Sequence, residues 1–480
     1  MQGPNPFFRL NPADLKKPKC FAVKRGEIKR RIDCQFHLPE HKLLGNKLTQ
    51  ANYPCYKIGD EKISVNIVDG PFGSQLKVED YCEKGVTLVR VSNCRTGEIV
   101  EDDGLVFIQE DKHKQLKRSE VLPGDVLLTK AGSLGYTAVF PESLQKGNIT
   151  SHLAAIRPNS QVMPMYLALY LSSSIGTRQI YRWGNKTTRP ELNTEEVREI
   201  KVILPPLSIQ RVLVGQMEEA RKLQKSKLDK SNYLLSGLDS YILEIIGIVP
   251  HVNHRRNIFA IKLSQIDGPI NPERYQVLQL EKNIKGISIN DVAEVVKEKV
   301  CPGTKGPNEE WDLIRIDDLA NKPIDVTTVR TNVGSNFEGA YFAVQENDIL
   351  LARLGPTIMN QKIVLCPKQY RQTIASPEFI VLRCKKGWDP LVVLWVLRTS
   401  LYREIIYSKC RGTTPSRYRV THEDLSLLPF PEIDDNKQSY LSVEIKNRLA
   451  LIRQLKEDAK NTWDMAKVNF EAQLLGDASS

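Results

Sequence analysis

The chain has 480 residues, a formal net charge of +11 and a pI near 9.0, with 41% hydrophobic and 26% charged residues. That length predicts two or three domains, and the composition excludes a disordered or fibrous chain. No apolar run reaches the roughly 20 residues of a membrane helix, and the opening "MQGPNPFFRLNPADLKKPK" has no secretion-signal core, while nine cysteines without a CxxC pair favour a reducing cytoplasm over disulfides or structural zinc.

Read in chain order, "RRIDCQFHLPEH" near residue 30 precedes short apolar strands punctuated by Gly, Pro, Asn and Asp: "VTLVRVS", "DVLLTKA", "TAVFP" and "AAIRP". The apolar segment "MYLALYLSS" reads as a buried helix, and "GNKTTRPELNTEEVREIKVILPPL" closes the series. The same series then recurs. "SQIDGPINPERY", "WDLIRIDD", "DILLARL", "KIVLCP", "FIVLR", "LVVLWVLRTS" and "RGTTPSRYRVTHEDLSLLPFPEI" follow in the same order, roughly 223 to 234 residues further on. Asp125, Leu127, Leu128 and Gly132 fall on Asp348, Leu350, Leu351 and Gly355, with Lys130 on Arg353. The chain is a tandem duplication of a strand-rich α+β module of about 180 residues.

Each copy runs into a long charged segment with an apolar seam at steps of 3 or 4. The first has Leu213, Met217, Ala220, Gln224, Leu228, Ser231, Leu235, Leu238, Ile242 and Ile245; the second has Ile445, Leu449, Ile452, Leu455, Ala459, Trp463, Ala466, Phe470 and Leu474. Gly247 and Gly476 stand where C-caps belong. Two helices of roughly 50 to 60 Å are expected, packed on each other antiparallel or each on its own domain. Packed together, they would hold two globular modules apart. The second entry, "PFPEIDDNKQ", lacks the Pro-Pro-Leu of the first and reads as having its glutamine displaced.

"PGDVLLTKAGSLG" has the small residues of a phosphate loop, but its lysine precedes the second glycine, and the copy has Pro356 there. It reads as a structural turn, or as a turn whose basic residue meets a DNA phosphate. Asn-Pro-Pro-aromatic, GxGxxG, GxSxG and HExxH are absent; "PEFIVLR" offers a nuclease only Arg383. His251 and His254 lack Cys, Asp or Glu ligands nearby, so neither a metal site nor an active site is expected. Between Arg398 and Arg419, by contrast, six basic residues (Arg398, Arg403, Lys409, Arg411, Arg417, Arg419) face one acid, Glu404, a local field suited to phosphate. Candidate DNA contacts are Lys130 and Ser133 in the first turn, Arg353 in the second, Lys186, Thr187, Thr188 and Arg189 in one loop, and Arg411, Thr413, Thr414, Ser416 and Arg417 in its copy.

On the duplicated unit, "GDVLLTKAGSLG", and "GNKTTRPELN" running into "VREIKVILPPLSIQRVLVGQMEE", the chain resembles the specificity subunit of type I restriction–modification systems. The resemblance implies a non-catalytic DNA reader of α+β class with pseudo-twofold organisation: target-recognition domains over 20–205 and 255–432, and antiparallel spacer helices over 206–250 and 436–476. It implies an asymmetric bipartite double-stranded DNA site. Leu213, Met217, Leu228, Leu235, Leu238, Ile242, Leu449, Ile452, Leu455, Trp463 and Phe470 would form the spacer that docks methyltransferase and restriction subunits. S-adenosylmethionine would belong to the methyltransferase. A related subunit of another DNA-modification or phage-defence complex is the alternative.

Overall fold

The computed structural model describes residues 21–28, 31–71, 75–95, 97–99, 104–184, 190–248, 277, 281, 284–369, 371–412, 414 and 417–476. His251, His254 and "SQIDGPINPERY" lie outside them. The chain divides into unit 1, Met1–Lys225 with Ala459–Ser480, and unit 2, Ser226–Asp458. Each unit therefore holds one sequence copy and part of both long helices.

In unit 1 a four-stranded antiparallel sheet has the order β10 (Thr137–Val139), β9 (Val126–Thr129), β12 (Leu153–Pro158), β2 (Ser64–Asp69). A five-stranded sheet has the order β3 (Tyr81–Cys82), β7 (Val106–Ile108), β4 (Val86–Val89), β11 (Gly147–Ile149), β8 (Glu120–Val121), with β4 and β11 parallel. β1 (Cys55–Lys57) pairs with β13 (Lys201–Ile203), and β5 (Cys94–Arg95) with β6 (Glu98–Ile99). Side chains alternate across a strand, and β9 uses both faces. Val126 and Leu128 join the helical core of Tyr166, Leu167 and Tyr170, while Leu127 packs with Val89, Val121 and Ile149 of the larger sheet. The result is three layers: helices, four-stranded sheet, five-stranded sheet.

Unit 2 repeats the plan. Its four-stranded sheet runs β15 (Ala293–Val295), β23 (Phe379–Cys384), β20 (Ile349–Ala352), β21 (Ile363–Leu365); its five-stranded sheet runs β16 (Lys299–Val300), β19 (Tyr341–Ala343), β22 (Gln372–Ala375), β17 (Glu310–Ile314), β18 (Arg330–Val333). β17 and β22 are the parallel pair, and β14 (Gly286–Ser288) pairs with β24 (Pro429–Pro431). Four strands of the larger sheets correspond, but the fifth does not. β3 extends the sheet beside β7, whereas β16 extends it beside β19, the counterpart of β8. The copies differ at opposite sheet edges.

The framework bonds are duplicated as well. Arg157 holds Asp125 through two 2.8 Å bonds, and Arg383 holds Asp348 at 2.9 and 2.8 Å. Each buried aspartate also accepts from a turn amide, Leu122 or Gln345. These bonds raise both arginines above their ordinary pKa, the carboxylate hydrogen bond being the largest cause.

The central helix, Leu207–Ile245, and the C-terminal helix, Asp435–Leu475, have 39 and 41 residues. Gly247, at φ +75°, closes the first in a Schellman motif: its N–H donates to the Glu244 carbonyl and that of Ile248 to the Leu243 carbonyl. Gly476, at φ +79°, closes the second. The helices run antiparallel within each unit. In unit 1, Gln473 donates to Gln216 and Arg221 lies over Trp463; in unit 2, Lys227 reaches the Asp458 carbonyl and Tyr241 bonds Tyr440.

Leu213, Met217 and Phe470 are buried in unit 1, and Leu238, Ile242, Leu449 and Ile452 in unit 2; Leu235, Leu455 and Trp463 are half-buried. Leu228 is 37% exposed and does not lie in the seam. A strict heptad would bury it, but an α-helix drifts about 20° per heptad against that repeat. Ser231 is fully buried instead, and Lys227 is half-buried.

The second helix entry also differs from expectation, because its glutamine is in register. Gln210 is fully buried; it accepts from the Met163 N–H at 2.8 Å and donates to the Gln161 and Pro205 carbonyls at 2.8 Å. Gln438 accepts from the Asp389 N–H at 2.9 Å and donates to the Gly387 and Ile433 carbonyls at 3.2 and 3.0 Å. Pro206 precedes one glutamine by four residues, and Asp434, whose carboxylate accepts from the Lys437 N–H, precedes the other by four. A proline entry and an aspartate cap start the two helices by different chemistry at the same position.

Candidate nucleic-acid interface

In unit 1 the site forms where β9 turns into β10. Gly132 and Gly135 take φ +77° and +85°, a conformation glycine adopts without strain. Thr129 Oγ1 pins the turn by donating to the Ser133 carbonyl at 2.6 Å and accepting from the Tyr136 N–H at 2.9 Å. Ser133 is exposed, but Lys130 is only 8% exposed. The Lys130 ammonium sits 2.6 Å from Asp69, whose other oxygen accepts from Thr194 Oγ1 at 2.9 Å. Lys130 therefore ties the turn to β2 and the Thr194–Arg198 helix, and a phosphate would have to break that pair to reach it.

The turn adjoins the residues that flank 185–189. Leu192 donates its N–H to the Lys130 carbonyl at 2.8 Å, Glu191 donates to Gly184 at 3.1 Å, and Ala131 bridges Glu191. The described residues on either side, Gly184 and Glu191, are thus held beside the turn. Lys186, Thr187, Thr188 and Arg189 themselves lie outside the described residues.

Unit 2 repeats the arrangement. Val420 donates to the Arg353 carbonyl at 3.0 Å, Gly355 to the Tyr418 carbonyl at 2.8 Å, and Leu354 bridges Arg419. Arg411 and Arg419 exchange two 2.9 Å backbone bonds, closing a loop that carries Thr414 and Arg417. A Cβ at Gly412 would meet the Arg417 carbonyl at 2.7 Å, so the loop requires glycine there. Backbone bonds through Arg419 and Val420 thus join the Arg353 turn to the loop of Arg411, Thr414 and Arg417; Thr413 and Ser416 lie outside the described residues.

The six-residue basic run is not one open field. Arg398 is buried, while Lys409, Arg411 and Arg419 pair with Glu281 at 2.8 Å, Asp424 at 3.5 Å and Glu378 at 3.2 Å. Arg417 is exposed and makes no ion pair among the described residues. The acids that neutralise the run come from other segments, so local sequence overstates its charge.

A cation–aromatic cluster beside Gly184 was not foreseen. Arg31 and Arg182 lie 5.0 and 4.3 Å from the centre of the Phe36 ring, which meets Trp183 edge-on at 4.8 Å. Burial, then the neighbouring Arg31, lowers Arg182 from its ordinary value. Burial, then Arg182, takes His41 down to about 4. The "YRWGNK" run of basic and aromatic residues entering the loop was the available signal.

No described helix is long and apolar enough to cross a membrane. A family model described as the type I restriction modification DNA specificity domain matches residues 91–230, which hold the unit 1 turn and the start of the central helix. The EcoBI specificity subunit of Escherichia coli is 29% identical over 141 residues, 29% of this chain and 29% of that protein, so the chain matches under a third of the relative's length. A solved chain from work on complex assembly and conformational transition of the type I R-M system aligns with TM-score 0.51 and 16% identity, covering 88% of this chain and 97% of that one. The HsdS subunit of Thermoanaerobacter tengcongensis aligns at 16% identity and TM-score 0.37, covering 88% and 97%. Residues 91–230 thus match the DNA specificity domain of type I restriction–modification systems, and the chain shares its fold with a solved chain from such a system.

Proposed function

We propose that the chain reads an asymmetric, bipartite double-stranded DNA site, one half-site per unit, and performs no chemistry itself. The observation that carries this reading is duplication with divergence. The Asp125–Arg157 and Asp348–Arg383 clasps and the Gln210 and Gln438 latches repeat, while the outer strand changes edge and Lys186–Arg189 becomes Arg411–Arg417. A shared framework with different reading loops suits two unlike half-sites.

The candidate contacts are Ser133, Lys186, Thr187, Thr188 and Arg189 for one half-site, and Arg353, Arg411, Thr413, Thr414, Ser416 and Arg417 for the other. Hydroxyls and the loop backbone donate to phosphates, and arginine donates two parallel bonds to guanine. The long helices set the spacing between half-sites and dock DNA adenine methyltransferase subunits, with a restriction and translocation subunit joining the complex. S-adenosylmethionine binds the methyltransferase partner, and the assembly works in the cytoplasm. Exposed apolar residues on both helices, including Val212, Leu223, Val443 and Val468, suit such docking.

The test is methylome sequencing of cells carrying the methyltransferase with and without this chain, then with residues 20–205 exchanged for those of a relative. The reading requires a bipartite adenine motif that depends on the chain and changes in one half only after the exchange. Loss of no motif, or a change in both halves together, refutes it. A chain that co-purifies with other partners belongs to a different modification or defence complex.

A further inference from the structure

Unit 2 brings together a buried arginine and a half-buried one, neither with an ion-pair partner among the described residues. Arg398 closes the helix Pro390–Arg398 and is 4% exposed. Its Nη1 donates to the Pro323 and Ile363 carbonyls at 2.6 and 2.8 Å, Nη2 lies 3.5 Å from Gln361 Oε1, and its guanidinium lies 4.6 Å from the Trp395 ring centre. The Nε of Arg398 is buried and has no hydrogen-bond partner. One turn into the next helix, Ser400–Ser408, the Nε of Arg403 is in the same condition. Neither arginine has a carboxylate within ion-pair distance among the described residues. Asp325 acts on Arg398 only at range, because both its oxygens accept from Arg453, at 2.8 and 2.7 Å. Burial and then the adjacent Arg403 charge pull Arg398 down to about 10.

Both arginines line one small cavity of about 20 Å³, together with Gln361, Lys362, Leu351, Ile358 and Ile406. That is room for one water-sized occupant and too little for a phosphate. Unit 1 lacks the feature. At the equivalent helix positions it has Ser172 and Thr177, whose hydroxyls donate to the Leu169 and Ser173 carbonyls. The cation pair is therefore an addition to the duplicated framework.

We infer that this cavity binds one small monovalent anion of the halide class, held by the Nε–H donors of Arg398 and Arg403. A water would accept both bonds but leave the buried Arg398 charge and the half-buried Arg403 charge beside it without an anion, and a halide meets both requirements. The bound anion fixes the junction between the two helices.

The experiment uses the full chain without DNA, in sodium gluconate or sodium chloride at one ionic strength, with amide exchange followed across residues 396–408. Chloride should slow exchange there saturably, about tenfold at roughly nine times its dissociation constant, and Arg403→Met should abolish the effect. Equal exchange in the two salts overturns the proposal, as does a chloride effect that survives Arg403→Met. If that variant does not fold, crystals of the unaltered chain grown in sodium bromide decide. Anomalous scattering beside both Nε atoms supports the site, and water density without it overturns the site.

Discussion

The glutamine latches make a test in which the two copies check each other. Gln210→Ala removes three hydrogen bonds of 2.8 Å from a fully buried position and strands the Met163 N–H and the carbonyls of Gln161 and Pro205. Each buried group left unsatisfied costs about 1–3 kcal/mol. Water entering the vacated space satisfies part of that demand, so we expect a net loss of about 3 kcal/mol, at the low end of the sum. Gln438→Ala loses the same set at 2.9 to 3.2 Å and should cost about 2 kcal/mol. Hydrogen exchange followed by mass spectrometry reads each latch separately. A 3 kcal/mol loss is roughly a hundredfold faster opening, seen over residues 161–170 for one variant and 387–396 for the other. If Gln438→Ala leaves exchange at Asp389 and the following turn unchanged while Gln210→Ala accelerates its own segment, the two latches are not equivalent and the registration of the copies is wrong.

Leu238→Ala should destabilise unit 2 by about 2–5 kcal/mol, whereas Leu228→Glu should stay within about 0.5 kcal/mol by urea denaturation; the reverse order would restore the strict heptad. Burial raises the Glu471 carboxyl above its ordinary value, although Ser174 donates its N–H and hydroxyl to it. The native state then holds this proton more tightly than the unfolded chain. Its contribution is full below pH 4.5 and is lost as pH rises through the folded value, and Glu471→Gln should flatten that slope. An unchanged slope in the variant would assign the titration elsewhere. Arg417→Ala should weaken binding to one half-site by about 1–3 kcal/mol if it reads a base, and equal loss on scrambled DNA would make it a phosphate contact. Seven residues added between Gln224 and Ser231, matched by seven between Leu455 and Thr462, lengthen each helix by about 10.5 Å. The methylated motif should gain about three base pairs of spacer, and an unchanged spacer would refute the ruler.

Local pattern carried most of the architecture. The eight apolar stretches named as strands contain strands, and both glycine caps stand at the helix ends, because those features depend on neighbours in sequence. What local pattern does not carry is the distant partner. Lys130 looked available because Asp69, its counter-ion, is 61 positions away. The run from Arg398 to Arg419 looked like an open field because Glu281 and Glu378 lie outside it. The pairing of Arg383 with Asp348, just before the neighbouring strand, is likewise invisible in the segment "PEFIVLR". Gln438 was misjudged for another reason. Alignment on the prolines hid the spacing from the helix start, which was the physically meaningful quantity.

Ser174 begins a helix in the first sequence copy, yet its cap, Glu471, lies 297 positions further along the chain. Phe470 and Leu474 complete the core around Tyr166 in the same way. During synthesis, unit 1 waits for residues 470–474 before its core can close, and every residue of unit 2 has by then been made. A stop codon in place of Val468 would therefore injure unit 1 and spare unit 2. The last turns of the second long helix are, in folding terms, the completion of the first sequence copy.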